Sequence, residues 1–151
     1  MITRRDLFIA AIAVCFTLGV VAVARPDKSL MPSKAFDWNA AQVLPQKYGV
    51  RRNLFDSPTA TLDNLECHVT TLNPGESPHA AHQHPEEELM FVKEGTIEVL
   101  VNGELKRVGP GSVIFQASNQ LHSIKNVGTT QATYHVLKWV SPGMGKPKND
   151  D

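Results

Sequence analysis

Two histidines one residue apart, His82 and His84, with Glu88 shortly after them, are the densest chemical feature of the chain. They lie in Gly75–Gly95, GESPHAAHQHPEEELMFVKEG. On an extended backbone, residues two apart project to the same side, so both imidazoles face one way. Glu88 is an even step further along, and that phase picks it out from its neighbours Glu86 and Glu87. Neutral imidazoles and a carboxylate form a donor set for a divalent first-row ion such as Mn, Fe, Co, Ni or Zn. His122, in Asn119-Gln120-Leu121-His122, follows the Asn102-Gly103 turn, which can fold it back onto the same place. A metal held there can polarise a carbonyl or carboxylate, activate water or, as Fe(II), react with O₂.

Other residues are candidates to support that site or to meet a substrate. His79, after Pro78, can overhang the mouth of a pocket, although a loop histidine is more often simply exposed. Tyr134 and His135 share a strand with opposite facing; whichever points inward can hydrogen-bond the site or shuttle a proton, and otherwise it packs in the core or on the surface. His68 carries the same two readings. Arg51 can clamp a carboxylate, or form a surface pair with Arg52. Phe91, Phe115 and Trp139 read as packing residues. No Gly-rich phosphate loop, Ser-x-x-Lys or Gly-x-Ser-x-Gly nucleophile motif is present, so any catalysis falls to the metal.

The elements that must position these residues read as short strands. Gly49–Phe55 ends at the Asp56-Ser57-Pro58 turn, and Leu65–Leu72 alternates with Leu65, Cys67, Val69 and Thr71 on one face. Leu89–Val92 is apolar at every position, which predicts cover on both faces, one by the core and one by a second sheet or a partner subunit. Thr96–Val101 alternates with Ile97, Val99 and Val101 on one side, and Asn102-Gly103 then gives the strongest short hairpin signal. Gly109-Pro110-Gly111 suits a type II turn. Ser112–Phe115, His122–Val127 and Ala132–Val140 complete the set, while Phe36–Val43 reads as a short helix or edge element. Many short strands with regular turns predict an all-β sandwich or barrel.

The first motif, Gly75-x6-His82-x-His84-x3-Glu88-x6-Gly95, resembles the first motif of the cupins, and Gly103–Asn126, ending His122-x3-Asn126, resembles the second. The Pro-x-Gly usual before the second-motif histidine reads Ala117-Ser118-Asn119 here. The likeness covers roughly residues 60–140 and is to small single-domain, Cupin_2-like metal-binding members. It implies a double-stranded β-helix, or jelly-roll barrel, with a divalent metal (Mn, Fe, Ni or Zn) inside, held by His82, His84, Glu88 and His122. Four protein ligands on a six-coordinate ion would leave two positions for water or a small polar or phenolic molecule, as in an oxygenase, isomerase or hydrolase. A non-catalytic binder of metal or small ligand is the alternative. The approach Glu66–Gly75 is locally similar to ureidoglycine aminohydrolase-like and quercetin-dioxygenase-like cupins.

With 151 residues the chain has room for one domain, and Lys+Arg equals Asp+Glu at 15 each, a balance that argues against a nucleic-acid partner. Residues 1–24 combine Arg4-Arg5, an uncharged run from Leu7 and Ala22-Val23-Ala24, the three parts of a secretory signal with a helical apolar centre. Thr3–Phe8 resembles a twin-arginine export signal, which predicts a periplasmic protein, exported folded with its metal already chosen. The alternative is a retained N-terminal membrane anchor, because Leu7–Ala24 is just long enough to span a bilayer. Residues 25–59 read as linker and edge segment, 60–140 as the barrel and 141–151 as a disordered tail. Cys15 falls in the leader, leaving Cys67 as a lone buried thiol without a disulfide. The apolar Leu89–Val92 run predicts a homodimer.

Overall fold

The computed structural model describes residues 29–144, so the leader lies outside the described residues, as does the tail from residue 145. Nine strands follow in chain order: β1 (Gln42–Gln46), β2 (Gly49–Ser57), β3 (Asn64–Leu72), β4 (Glu87–Glu94), β5 (Ile97–Val101), β6 (Glu104–Val108), β7 (Val113–Gln116), β8 (Ser123–Asn126) and β9 (Ala132–Val140). They form a six-stranded sheet, β1-β2-β3-β9-β4-β7, and a three-stranded sheet, β6-β5-β8. All the pairings are antiparallel. Two facing antiparallel sheets with these crossovers make a jelly roll, the all-β architecture the turn spacing predicts.

Alternation sets which side chains meet between the sheets. In β4, Met90 and Val92 are buried while Phe91 is exposed; in β5, Ile97 and Val99 are buried on the side opposite Glu98 and Leu100. Leu72, Ile114, Ile124, Ala132, Tyr134 and Val136 join them in one core. Each large aliphatic side chain fully buried there contributes about 1.5–3 kcal/mol. The β5–β6 connection is the two-residue Asn102-Gly103 turn, with both residues at positive φ (51° and 79°). That conformation matches the twist of the strands it joins. Gly111, at φ 84°, closes the turn from Gly109 to Ser112.

The N-terminal segment meets the edge-element reading and not the helical one, since β1 is the edge of the six-stranded sheet. Phe36–Val43 contains no helix; Asp37–Asn39 turns, with the Asn39 amide donating to Asp37 Oδ1 at 2.6 Å, and a strand begins only at Gln42. Asp and Asn favour such side-chain-stabilised turns over helix interiors. The sheet also begins well before residue 60, since β2 lies between β1 and β3 with nine residues. Met31 and Phe36 are fixed to this part of the sheet, through Met31 N to Pro58 O at 2.9 Å and a Phe36–Phe55 ring contact at 4.7 Å.

The second face of β4 is left partly open among the described residues. Phe91 pairs with Val113 of β7 and Leu89 with Phe115, and Phe91, Val113 and Phe115 are 38%, 57% and 50% exposed. Phe115 lies against Trp139 at 6.4 Å. These aromatics therefore form an outer apolar patch rather than core packing.

Candidate metal centre

The first motif is not a strand where its histidines lie. Residues 77–86 form an irregular loop, and only His82 takes part in a β-bridge, to His122. Pro78 and Pro85 cannot donate to a ladder, so the extended pairing that would fix a two-residue phase cannot run through this segment. The backbone bridge does the positioning instead: His82 N donates to His122 O at 3.0 Å and His122 N to His82 O at 2.9 Å. His84 is held from the other side, its carbonyl accepting from Asn119 N at 2.8 Å. Asn119 stands at φ 57° in a turn closed by Gln120 N to Ala117 O at 3.2 Å. Asparagine tolerates that left-handed conformation, so the turn before His122 survives without glycine.

The result is a tight cluster. Ligand-capable atoms of His82, His84 and His122 all lie within 4.8 Å of one another. Glu88, on the inward face of β4, places Oε1 3.4 Å from His84 Nε2 and Oε2 3.9 Å from His122 Nε2. The ring tautomers follow from the partners. His84 Nδ1 is 3.0 Å from Glu86 O, and His122 Nδ1 is 2.8 Å from Gln120 O. A carbonyl only accepts, so both Nδ1 atoms carry the proton and both Nε2 lone pairs are free toward Glu88. His122 Nε2 and His82 Nδ1 are buried without a hydrogen-bond partner among the described residues. A buried polar atom left unpaired costs roughly 1–3 kcal/mol, and a metal ion would relieve that cost. Burial, reinforced by the imidazoles of His79, His122 and His84, holds His82 below the usual histidine range, which favours the neutral form a metal requires. The donor set fits a divalent metal.

The cluster opens on a cavity of about 270 Å³ between the sheets. Its further polar lining comes from β2, β3 and β9: Arg51, His68, Thr70, Tyr134 and Lys138, the last directly across from Glu88 in the β4–β9 pairing. Of the supporting candidates, Tyr134 points into this cavity and is 3% exposed, with burial pushing its phenol well above its ordinary range, so it remains protonated. His135 points to the opposite face of the sheet, beside Trp38 at 6.5 Å, and has no part in the cavity. His79 is exposed at the rim, its ring 4.0 Å from that of His82. Arg51 is on the wall, but its guanidinium is engaged by the Glu66 carboxylate and by Asn53 Oδ1 (2.8 Å) rather than left free for a substrate.

Glu66 was not singled out by sequence. It receives Arg51 Nη2, His68 Nδ1 at 2.9 Å and Lys138 Nζ at 3.1 Å. The His68 hydrogen bond, helped by Lys138 and opposed by burial, lowers its carboxyl to about 2. The usable signal was Glu66-x-His68, two residues on one strand face; the register that brings Lys138 opposite Glu66 depends on a pairing with β9. Cys67, on the other face of β3, is buried and free, and burial raises its thiol, as expected of an inert packing cysteine.

A jelly roll with a histidine cluster at the open end of its core defines the cupin architecture, and comparison with known proteins agrees. The Cupin_2 cupin-domain profile matches residues 68–138, and this match and the fold support the cupin superfamily. No curated protein matches the chain. Among solved structures, the polyketide cyclase RemF from Streptomyces resistomycificus is similar at 22% identity and TM-score 0.59, over 72% of this chain and 80% of its own. A predicted oxalate decarboxylase from Thermotoga maritima is similar at 19% identity and TM-score 0.56, over 71% and 99%. The Cnp3 cupin domain of Schizosaccharomyces pombe matches at 16% identity and TM-score 0.58, over 71% and 74%. These likenesses are of fold.

Proposed function

We propose that this chain is an exported, metal-dependent cupin that acts on a small polar or phenolic molecule bound between its sheets. His82, His84, Glu88 and His122 would hold the ion. The observation that carries the reading is the convergence of three imidazoles within 4.8 Å, two of them with a buried ring nitrogen that has no hydrogen-bond partner among the described residues. When bound, the ion would supply Lewis-acid polarisation of a carbonyl or carboxylate or, as Fe(II), reaction with O₂. The protein's own contribution is to fix the ligands: the Nδ1–H bonds of His84 and His122 to backbone carbonyls set ring tautomer and orientation. Thr70, Tyr134 and Lys138, which line the same cavity, would orient a substrate at the ion. The similar structures include one described as a polyketide cyclase and one as a predicted oxalate decarboxylase, names in keeping with small-molecule chemistry that choose no substrate.

The twin-arginine-like leader supports periplasmic residence after folding, with metal loaded in the cytoplasm; an uncleaved leader would instead tether the barrel to the membrane. The exposed Phe91, Val113 and Phe115 patch supports a homodimer. To test the activity, Fe(II)- and Mn(II)-loaded protein is incubated with a panel of catechols, flavonols and keto acids while O₂ uptake and products are followed. Metal-dependent turnover of any member supports an enzyme. Stoichiometric metal with no turnover on the whole panel would assign a non-catalytic binder.

A further inference from the structure

Besides the imidazole cluster, the cavity lining holds a second arrangement of titratable groups, on β2, β3 and β9, that metal binding does not use. His68 is 9% exposed and lines the cavity. Its Nδ1 is 2.9 Å from Glu66 Oε1. Glu66 is an ionised carboxylate across the whole neutral range, so it can only accept, and the proton of a neutral His68 ring must sit on Nδ1. The Nε2 lone pair is then free. Among the described residues Nε2 has no hydrogen-bond partner, yet it is not one of the sealed unpartnered atoms, which are His82 Nδ1 and His122 Nε2. It therefore opens on the cavity. Glu66 is in turn fixed by Arg51 from β2 and by Lys138 Nζ from β9 at 3.1 Å. The other titratable groups that line the cavity are Tyr48, Tyr134, His79, Glu88 and the imidazole cluster.

We infer that His68, oriented by Glu66, is the proton-transfer group of the cavity, serving a substrate held between it and the imidazole cluster. The inference rests on the metal-dependent reading above and names the residue that handles the proton in it. In the step, an acidic O–H or C–H of the substrate gives its proton to His68 Nε2 and the electron pair stays on the substrate. The imidazolium formed keeps its Nδ1–H bond to the Glu66 carboxylate, which balances the new charge without itself taking a proton. The reverse transfer returns the proton to the product and restores the neutral ring. Arg51 and Lys138 are positioning residues: they hold Glu66 ionised and in place, and so act on the proton through His68. One placement favours a general base and a metal working on the same molecule: His68 on β3 and the imidazole cluster of the His82–His122 bridge line the same cavity.

The test reads the ring directly and does not need the substrate. Long-range ¹H–¹⁵N spectra of histidine-labelled apo and Zn(II)-loaded protein report each ring's tautomer, with the His68 signals assigned by their loss in His68→Asn. That substitution leaves an amide N–H near the position of Nδ1 to bond Glu66 but has no atom at Nε2, so fold and metal content should be retained. The expected result is the Nδ1–H tautomer for His68 in both forms of the wild type and full metal stoichiometry in His68→Asn. For any panel substrate that turns over, kcat should fall by roughly 10²–10⁴-fold in His68→Asn. An Nε2–H tautomer, loss of metal in His68→Asn, or wild-type turnover by that variant would each overturn the proposal. Should His68→Asn fail to fold, His68→Gln supplies the assignment, and the tautomer still decides. Failure of the wild type to bind metal would count against the metal-dependent reading instead, and would leave the tautomer result unchanged.

Discussion

Asn126 is a buried polar residue that ties β8 to the start of the first motif, and replacing it by alanine gives a calculable loss. It is 0% exposed and makes three side-chain hydrogen bonds: Nδ2 donates to Leu72 O at 3.1 Å and to Thr130 O at 2.8 Å, and Oδ1 accepts from Gly128 N at 2.9 Å. Its backbone ties β8 to the start of the first motif, through Gly75 N to Asn126 O at 3.0 Å and Asn126 N to Glu76 O at 2.9 Å. A typical hydrogen bond contributes about 1 kcal/mol net, and each buried partner left unpaired adds a desolvation cost, so the Asn126→Ala loss should be roughly 3–4 kcal/mol. Against a total of about 5–15 kcal/mol this is a large fraction. Urea unfolding of apo wild type and variant in EDTA, followed by tryptophan fluorescence, measures it as a shift of midpoint at unchanged slope. The variant should also bind metal more weakly, since β8 carries the chain out from His122. A loss below about 1 kcal/mol with unaltered metal affinity would refute the reasoning, by showing that water or local rearrangement replaces all three bonds.

Gly95 and Gly111 both have positive φ, 83° and 84°, but a Cβ at Gly95 would lie 2.5 Å from Ala132 Cα, whereas none lies near Gly111. Gly111→Ala should cost about 1 kcal/mol from backbone strain alone and Gly95→Ala clearly more, as read from paired thermal melts. Glu66, lowered to about 2 from an ordinary value of 4.5, contributes stability that is present above the unfolded value and lost as pH falls through the folded one. Wild type should therefore lose roughly 3 kcal/mol between about pH 5 and 2 that Glu66→Gln does not lose, measured by urea midpoints at successive pH values. Phe115, 50% exposed beside Trp139, lies in the patch proposed to pair two copies. Phe115→Glu should weaken association at least tenfold in sedimentation velocity, and a wild type that sediments as a monomer at all concentrations would contradict the dimer.

The barrel was legible because its signals are local. Ile97 and Val99 alternate against exposed neighbours, and Asn102-Gly103 can adopt positive φ at both residues, so strand facing and hairpin register follow from a handful of positions. The metal-site residues were legible by type, since imidazoles and a carboxylate in close sequence are a distinctive donor set. Their mode of placement was not. The two-residue spacing of His82 and His84 suggests a strand, yet prolines on both sides leave a loop that a single bridge to His122 fixes. The phase of β9 was equally hidden: Tyr134 and His135 are both plausible inward residues until the pairing with β3 and β4 sets which one enters the cavity. The Glu66–His68–Lys138 group was invisible for a related reason, because one member comes from a strand far along the chain. Phe91 and Phe115 read as packing residues in the sequence, and alternation in β4 and β7 puts them on the outer face.

The central claim is that His82, His84 and His122, with Glu88, hold one divalent ion. Calorimetric titration of Mn(II) or Ni(II) into chelator-stripped protein, wild type beside the His82→Ala/His122→Ala double variant, tests it most directly. One ion per chain is expected for the wild type, and no binding heat for a folded double variant. Stoichiometric binding by the double variant, or none by the folded wild type, would contradict it.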